Sequence, residues 1–209
     1  IGKVFDKEQE SESIINYIDD TVSMIKERTA KVSGDKPKVL ALGLAPNSRS
    51  AGGAGNIRGA IVAYYIETLA NAENAYSVTR YTSDSGVINA EQVLALDPDV
   101  IILPTSSGYH PPQELYDAPY YANLRELRAV KNRDVYALPY TPSNCDASRL
   151  EYPIDAMIIA KAAYPDLFED ITVNDWVLDY YQNLYGVDMD TAKEIRSSHW
   201  LDWMEEIGF

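Results

Sequence analysis

The run Val100-Ile101-Ile102-Leu103 constrains the fold more than any other stretch of this 209-residue chain. In a strand its four apolar side chains point alternately to the two faces, so neither face tolerates water. Such a strand belongs inside a parallel sheet with helices laid over both sides. The residues before it agree. Asn89 offers an N-cap with Gln92 three positions on, and a short helix follows that ends before Pro98. A short helix that delivers a doubly buried strand is the repeating unit of an α/β fold.

The same alternation recurs along the chain. Lys38 to Leu42 reads as a short buried strand bounded by Gly43 and Pro46, and Asp134 to Leu138 as a third strand reached through a short helix near Tyr120 to Leu127. Right-handed crossovers would join these strands into a mainly parallel sheet. A helix is expected from about Ile57 to Ala70, with Ile57, Ile61, Tyr64, Tyr65 and Leu69 on one face, and a weak strand near Tyr76 to Thr79. Pro153 suits the first position of a helix whose apolar face is Ile154, Met157 and Ile158 and which Pro165 ends. Val173, Trp176, Val177, Tyr180, Tyr181 and Leu184 then keep helical spacing behind a Thr172–Asp175 capping pair, and a last helix is expected over about Asp190 to Glu206. At the other end, Ile14, Ile15, Ile18, Val22 and Ile25 form the narrow apolar stripe of a long helix over Lys7 to Lys31, broken by Ser33, Gly34, Asp35 and Pro37. The expected organisation is a leading helix over residues 1–34 and one α/β domain with a helical C-terminal extension over residues 35–209.

Composition narrows the function. With 46% hydrophobic residues and 16 tyrosines the chain can bury a sizeable core, so global disorder is excluded. A net charge of -14 repels nucleic acid and anionic lipid headgroups. Much of the surplus lies between Pro165 and Phe209, where 11 acidic side chains face only Lys193 and Arg196, as on a solvated outer face. Cys145 is the single cysteine, which excludes an intrachain disulfide and a Cys-rich zinc site. There is no 18-residue apolar run and no export leader at Ile1, so an export signal is expected upstream.

In an open parallel sheet, ligands sit beyond the carboxyl ends of the strands. Here those ends are followed by three polar loops, Ala45 to Asn56, Pro104 to Pro112 and Tyr140 to Tyr152. The expected ligand-binding residues are Asn47, Ser48, Arg49, Ser106, Tyr109, His110, Tyr140 and Arg149. Guanidinium groups suit anionic oxygens, and tyrosines offer an apolar face with a phenolic tip. Gly52, Gly53 and Gly55 match neither a P-loop nor a dinucleotide fingerprint, and read as a flexible loop. His110, Cys145 and His199 lack metal-ligand spacing, so no protein-bound metal and no cofactor is assigned. Ser106 or Ser107 near His110 lacks the Gly-x-Ser-x-Gly elbow of a hydrolase, and no catalytic residue is assigned.

Four stretches together resemble a known family, the helical-backbone (class III) substrate-binding proteins of ABC importers for siderophores, haem, cobalamin and oxyanions. Asn89 through Ile102 is similar to the helix and strand of that family's second lobe. Leu124 to Leu138, with Ala129-Val130-Lys131-Asn132-Arg133-Asp134-Val135-Tyr136, resembles its next helix and strand. Ser148-Arg149-Leu150 through Ala160-Lys161, then Tyr164-Pro165, is similar to its closing helix, and Phe5 to Arg28 to the helix that connects the lobes.

The resemblance implies a non-enzymatic C-terminal lobe with its connecting helix, working with a first lobe and an ABC permease. The periplasm or cell exterior is the implied location, with a lipoprotein anchor, and the implied ligand is a metal chelate. A ferric siderophore comes first, with haem, cobalamin or an oxyanion as other possibilities. It also implies that Glu91 pairs with a permease arginine. A competing class is a nitrogenase-like or chelatase-like metallocofactor enzyme domain, which would need Cys or His ligands near the loops. A receiver or flavodoxin-like module ranks last, because Leu44, Ala45 and Pro46 stand where it wants acidic residues.

Overall fold

In the computed structural model the doubly apolar run lies at the centre of a sheet. The described residues are 2–57, 60–76, 86–105, 108–140 and 149–209. Strands β1 (Lys38–Gly43), β2 (Gly55–Ile57), β3 (Glu73–Asn74), β4 (Val87–Ile88), β5 (Val100–Leu103) and β6 (Val135–Ala137) form one sheet in the order β4-β2-β1-β5-β6, with β3 also on β1. β5 is parallel to both neighbours, with Ile101 opposite Leu40 and Val135. All four residues of β5 are buried, as a run that tolerates water on neither face requires. β3 is also parallel to β1, whereas β2 is antiparallel to β1 and β4, so the sheet is mainly parallel with an antiparallel corner.

That corner departs from the sequence reading. The glycine-rich stretch is helix α2 (Pro46–Ser50) followed by β2, and Ile57 ends a strand instead of opening a helix. Its glycines serve close packing. A Cβ on Gly55 would lie 2.6 Å from Leu42 Cδ1 and 2.9 Å from the Gly43 carbonyl, and one on Gly53 would collide with Val87. The next helix, α3 (Ala60–Tyr64), passes into a π turn over Tyr65–Leu69. The strand expected near Tyr76 lies mostly outside the described residues, and the pairing with β1 is made at Glu73–Asn74.

The long leading helix, α1 (Glu8–Thr29), buries Ile18, Thr21, Ile25 and Thr29, with Ile14 and Val22 packed at the edge of the core. Ile15, counted in the stripe, points to solvent at 56% exposure. Arg28 fixes the end of the helix by donating to both carboxylate oxygens of Asp170 and to the Leu167 carbonyl at 2.9 Å. Helix α4 (Ala90–Leu96) has the expected capping box: Asn89 Oδ1 accepts from the Gln92 amide at 2.8 Å, and Gln92 returns the bond to the Asn89 amide at 3.0 Å. After β5 come α5 (Gln113–Asp117), a 3-10 helix over Pro119–Glu126 where a short helix was expected, and α6 (Arg128–Asn132).

Helix α7 (Tyr152–Ala163) is buried on nearly every side, and α8 (Val173–Tyr185) packs its predicted apolar face inward. Thr172 occupies the N-cap position of α8 without a side-chain cap bond, and Asp175 instead accepts from Asn174. The single last helix expected from the sequence is two, α9 (Met189–Ser198) and α10 (Trp203–Ile207), separated where Trp200 turns left-handed at φ 61°. No described helix is long and apolar enough to cross a membrane.

Candidate functional site

The parallel strands β1, β5 and β6 all end at one edge, and described residues that follow each of them lie there. β1 runs into Leu44 and Ala45, both buried, and Pro46 starts α2 at a position where its missing N–H is no loss. This turn exposes Asn47, whose Oδ1 accepts a long 3.4 Å bond from Asn56, and presents Arg49. Ser48 is buried, and its hydroxyl has no hydrogen-bond partner.

Arg49 reaches the loop after β5. Its Nη1 lies 3.8 Å from Glu114 Oε2, and Glu114 Oε1 lies 2.9 Å from His110 Nδ1. This contact orients the imidazole ring through Nδ1. His110 and Glu114 stand one helical turn apart, a spacing visible in the sequence, but Glu114 was not singled out there. Beside this trio Tyr120 donates to the Arg49 carbonyl at 3.2 Å and the Gly53 carbonyl at 2.7 Å. Tyr121 is buried, its hydroxyl unpartnered and pushed up to about 12, first by burial; Arg49 opposes that shift and Glu114 adds to it. Gly52, Gly53, Ala54, Ala90, Tyr120 and Leu124 help line an adjoining cavity of ≈ 270 Å³.

The loop after β6 is tied to the same edge: Thr105 Oγ1 donates to the Pro139 carbonyl at 2.6 Å, and the Tyr140 amide to the His199 carbonyl at 2.9 Å. Tyr109 stacks on Trp200 with ring centroids 5.2 Å apart and planes 23° from parallel. Its phenol is pushed up to about 12 by burial, then by Glu206 and Asp202, and is neutral at physiological pH. His199, which lacks metal-ligand spacing in the sequence, is packed: Tyr181 Oη lies 2.7 Å from its Nδ1, and burial lowers its pKa.

Arg49, Tyr109, His110 and Tyr140 thus share one edge with Asn47 and Ser48. Arg149 lies beneath it: buried, it donates to Asp155 Oδ2 at 2.6 Å. Ser106, Ser107 and Cys145 fall outside the described residues. From the sequence, the arginines were offered to anionic oxygens. Each has a carboxylate partner, Glu114 or Asp155, so the mouth is closer to charge balance than expected. Among the described residues no group of three or more His, Cys, Asp or Glu side chains is placed to hold a metal ion. An imidazole, phenols and one partly exposed guanidinium are suited to contacting the shell of a polar solute.

Comparison with known proteins bears on this geometry. The model of the family described as periplasmic binding protein matches residues 1–142. The molybdate-binding protein MolA of Haemophilus influenzae is 26% identical over 192 residues, covering 88% of this chain and 49% of MolA. A periplasmic solute binding protein from Veillonella parvula superposes with a TM-score of 0.76 at 25% identity, over 100% of this chain and 60% of its own. Helicobacter pylori CeuE, in a complex with Ni-His, shares the fold with a TM-score of 0.66 at 22% identity, over 92% of this chain and 57% of CeuE. The chain therefore spans about half the length of MolA and three-fifths of the Veillonella protein.

Proposed function

The chain belongs to the periplasmic binding protein family, and from that premise we propose that it forms the ligand-facing C-terminal lobe of a solute-binding protein serving an ABC importer. In this reading residues 1–34 connect it to a first lobe, residues 35–209 form the second, and the protein works outside the cytoplasm against a permease. The observation that carries the reading is the meeting of the three post-strand loops at one edge, with Arg49, His110, Tyr109 and Tyr140 gathered there. Ligands of open parallel sheets bind at that edge.

The solute we propose is a metal chelate, a ferric siderophore first. A bulky chelate needs aromatic surface and neutral donors as much as charge, which is what a mouth with paired arginines offers. Arg49 and Tyr140 meet its anionic oxygens, and the His110 ring meets a polar group of its shell. Haem and cobalamin belong to the same class of occupant. A second reading, molybdate, is favoured by the likeness to MolA, named as a molybdate-binding protein.

Titrating the two-lobed protein with ferric siderophores, haem, cobalamin, Ni-histidine and molybdate, with tryptophan fluorescence as the readout, tests both readings. One of these should bind tightly, and His110→Ala should weaken it by about tenfold, or about 1.4 kcal/mol. No binding to any of them would remove the proposal. Tight binding of molybdate alone would select the second reading.

A further inference from the structure

The C-terminal extension reaches the mouth through a residue that helix termination alone does not account for. Trp200 stands just past the C-cap of α9, with its backbone left-handed at φ 61°. Glycine is the usual residue at such a position, because a Cβ there crowds the following carbonyl oxygen. This chain ends α8 with Gly186 at φ 65° and α10 with Gly208 at φ 67°. The left-handed ends of α4 and α6 hold Asp97 at φ 40° and Arg133 at φ 65°, whose side chains meet Arg128 and the Tyr116 ring, and the end of α9 holds an indole.

That indole is not core. Trp200 is 53% exposed, whereas Trp203, three residues on, is 5% exposed. Its partner is Tyr109, on the loop after β5, and the residue before it accepts the Tyr140 amide from the loop after β6. The His199 ring is held in turn by Tyr181. The extension thus joins two of the three mouth loops and leaves an aromatic surface standing at their rim. A backbone conformation that disfavours the residue it holds points to a use for the side chain.

We infer that Trp200, backed by Tyr109, is a specificity-determining stacking surface that selects chelates whose organic shell is flat and conjugated. The inference rests on the proposed reading of the mouth as the ligand site. A conjugated ring laid on an aromatic face gains about 0.5–1.5 kcal/mol beyond its area, or roughly tenfold in affinity at the upper end, and a ring-free oxyanion gains none of it.

The test uses the two-lobed protein, isothermal titration, and three probes: an iron(III) catecholate complex, haem and molybdate. Trp200→Gly relieves the backbone, so its melting temperature should be no lower than that of the parent. Its affinity for a ring-bearing probe should fall about tenfold, Trp200→Phe should restore most of the loss, and molybdate affinity should not change. Equal affinity of Trp200→Gly and parent for the ring-bearing probes would overturn the inference and leave the proposed function standing. An equal loss for molybdate, or a lowered melting temperature, would also overturn it by giving Trp200 a structural role. Failure of the parent to bind any ring-bearing probe would overturn it as well, and failure to bind any of the three would remove the reading beneath it.

Discussion

Asp155 lies in the first turn of α7, fully buried, with its Oδ2 on Arg149. Burial pushes its carboxyl up to about 7; Arg149 opposes the shift, and Glu151 adds to it. The folded chain therefore holds this proton more tightly than the unfolded chain, whose carboxyl titrates near 3.8. The contribution to stability is complete below about pH 4 and is lost as pH rises toward 7. Melting temperatures of the parent and Asp155→Asn across pH 4 to 8 should show a steeper decline for the parent, and parallel curves would contradict this assignment. Arg149 also shows where residue-level reading stops. A polar loop ahead of a helix marked by Pro153 was legible, but the carboxylate six residues on, which takes up the guanidinium, depends on how tightly α7 is buried. Tyr109 and Tyr140 could be placed on this edge from the sequence because strand ends alone locate their loops. Trp200 was not, since nothing local in Ser197-Ser198-His199-Trp200 signals a left-handed turn in place of a continuing helix.

Helix α4 was legible almost atom for atom, because a capping box is a contact between residues three apart and needs no tertiary help. The buried strand β5 and the stripe on α1 were legible for the same reason: each is a periodicity in one continuous segment. The α2–β2 corner was not, because β2 exists only through antiparallel partners at Leu42, Gly43, Val87 and Ile88, brought together by the fold. Glu91, exposed in the first turn of α4, is in good position to stabilise the helix dipole and is also our proposed contact for a permease arginine. These roles separate experimentally. Glu91→Lys in the two-lobed protein should weaken association with the permease and lower transport by about tenfold, as loss of a paired charge at an interface does, while ligand affinity stays unchanged. Normal transport by this variant would assign Glu91 to helix stability alone.

At the scale of the whole molecule, the proposed reading makes the mouth edge one wall of a cleft. The mouth edge gathers side chains from three loops and from the C-terminal extension, while the family model spans residues 1–142 and leaves most of that extension beyond it. Association must first overcome several kcal/mol of lost translational and rotational freedom, so a single wall should bind far more weakly than half as well. The leading helix is fixed by Arg28 at one end and by Ile18 and Ile25 along its face; if it joins two lobes as proposed, closure between them should be modest, since bending it would break backbone bonds and apolar packing together. We propose that a metal-bearing solute sits at the carboxyl edge of β1, β5 and β6. Crystals of the two-lobed protein loaded with the tightest-binding metal species, measured at the metal's absorption edge, test this directly. One anomalous peak is expected at the mouth, beside the loops that carry Arg49, Tyr109, His110 and Tyr140; a peak elsewhere on the lobe, or no ordered metal in crystals of a saturated protein, would contradict the proposal.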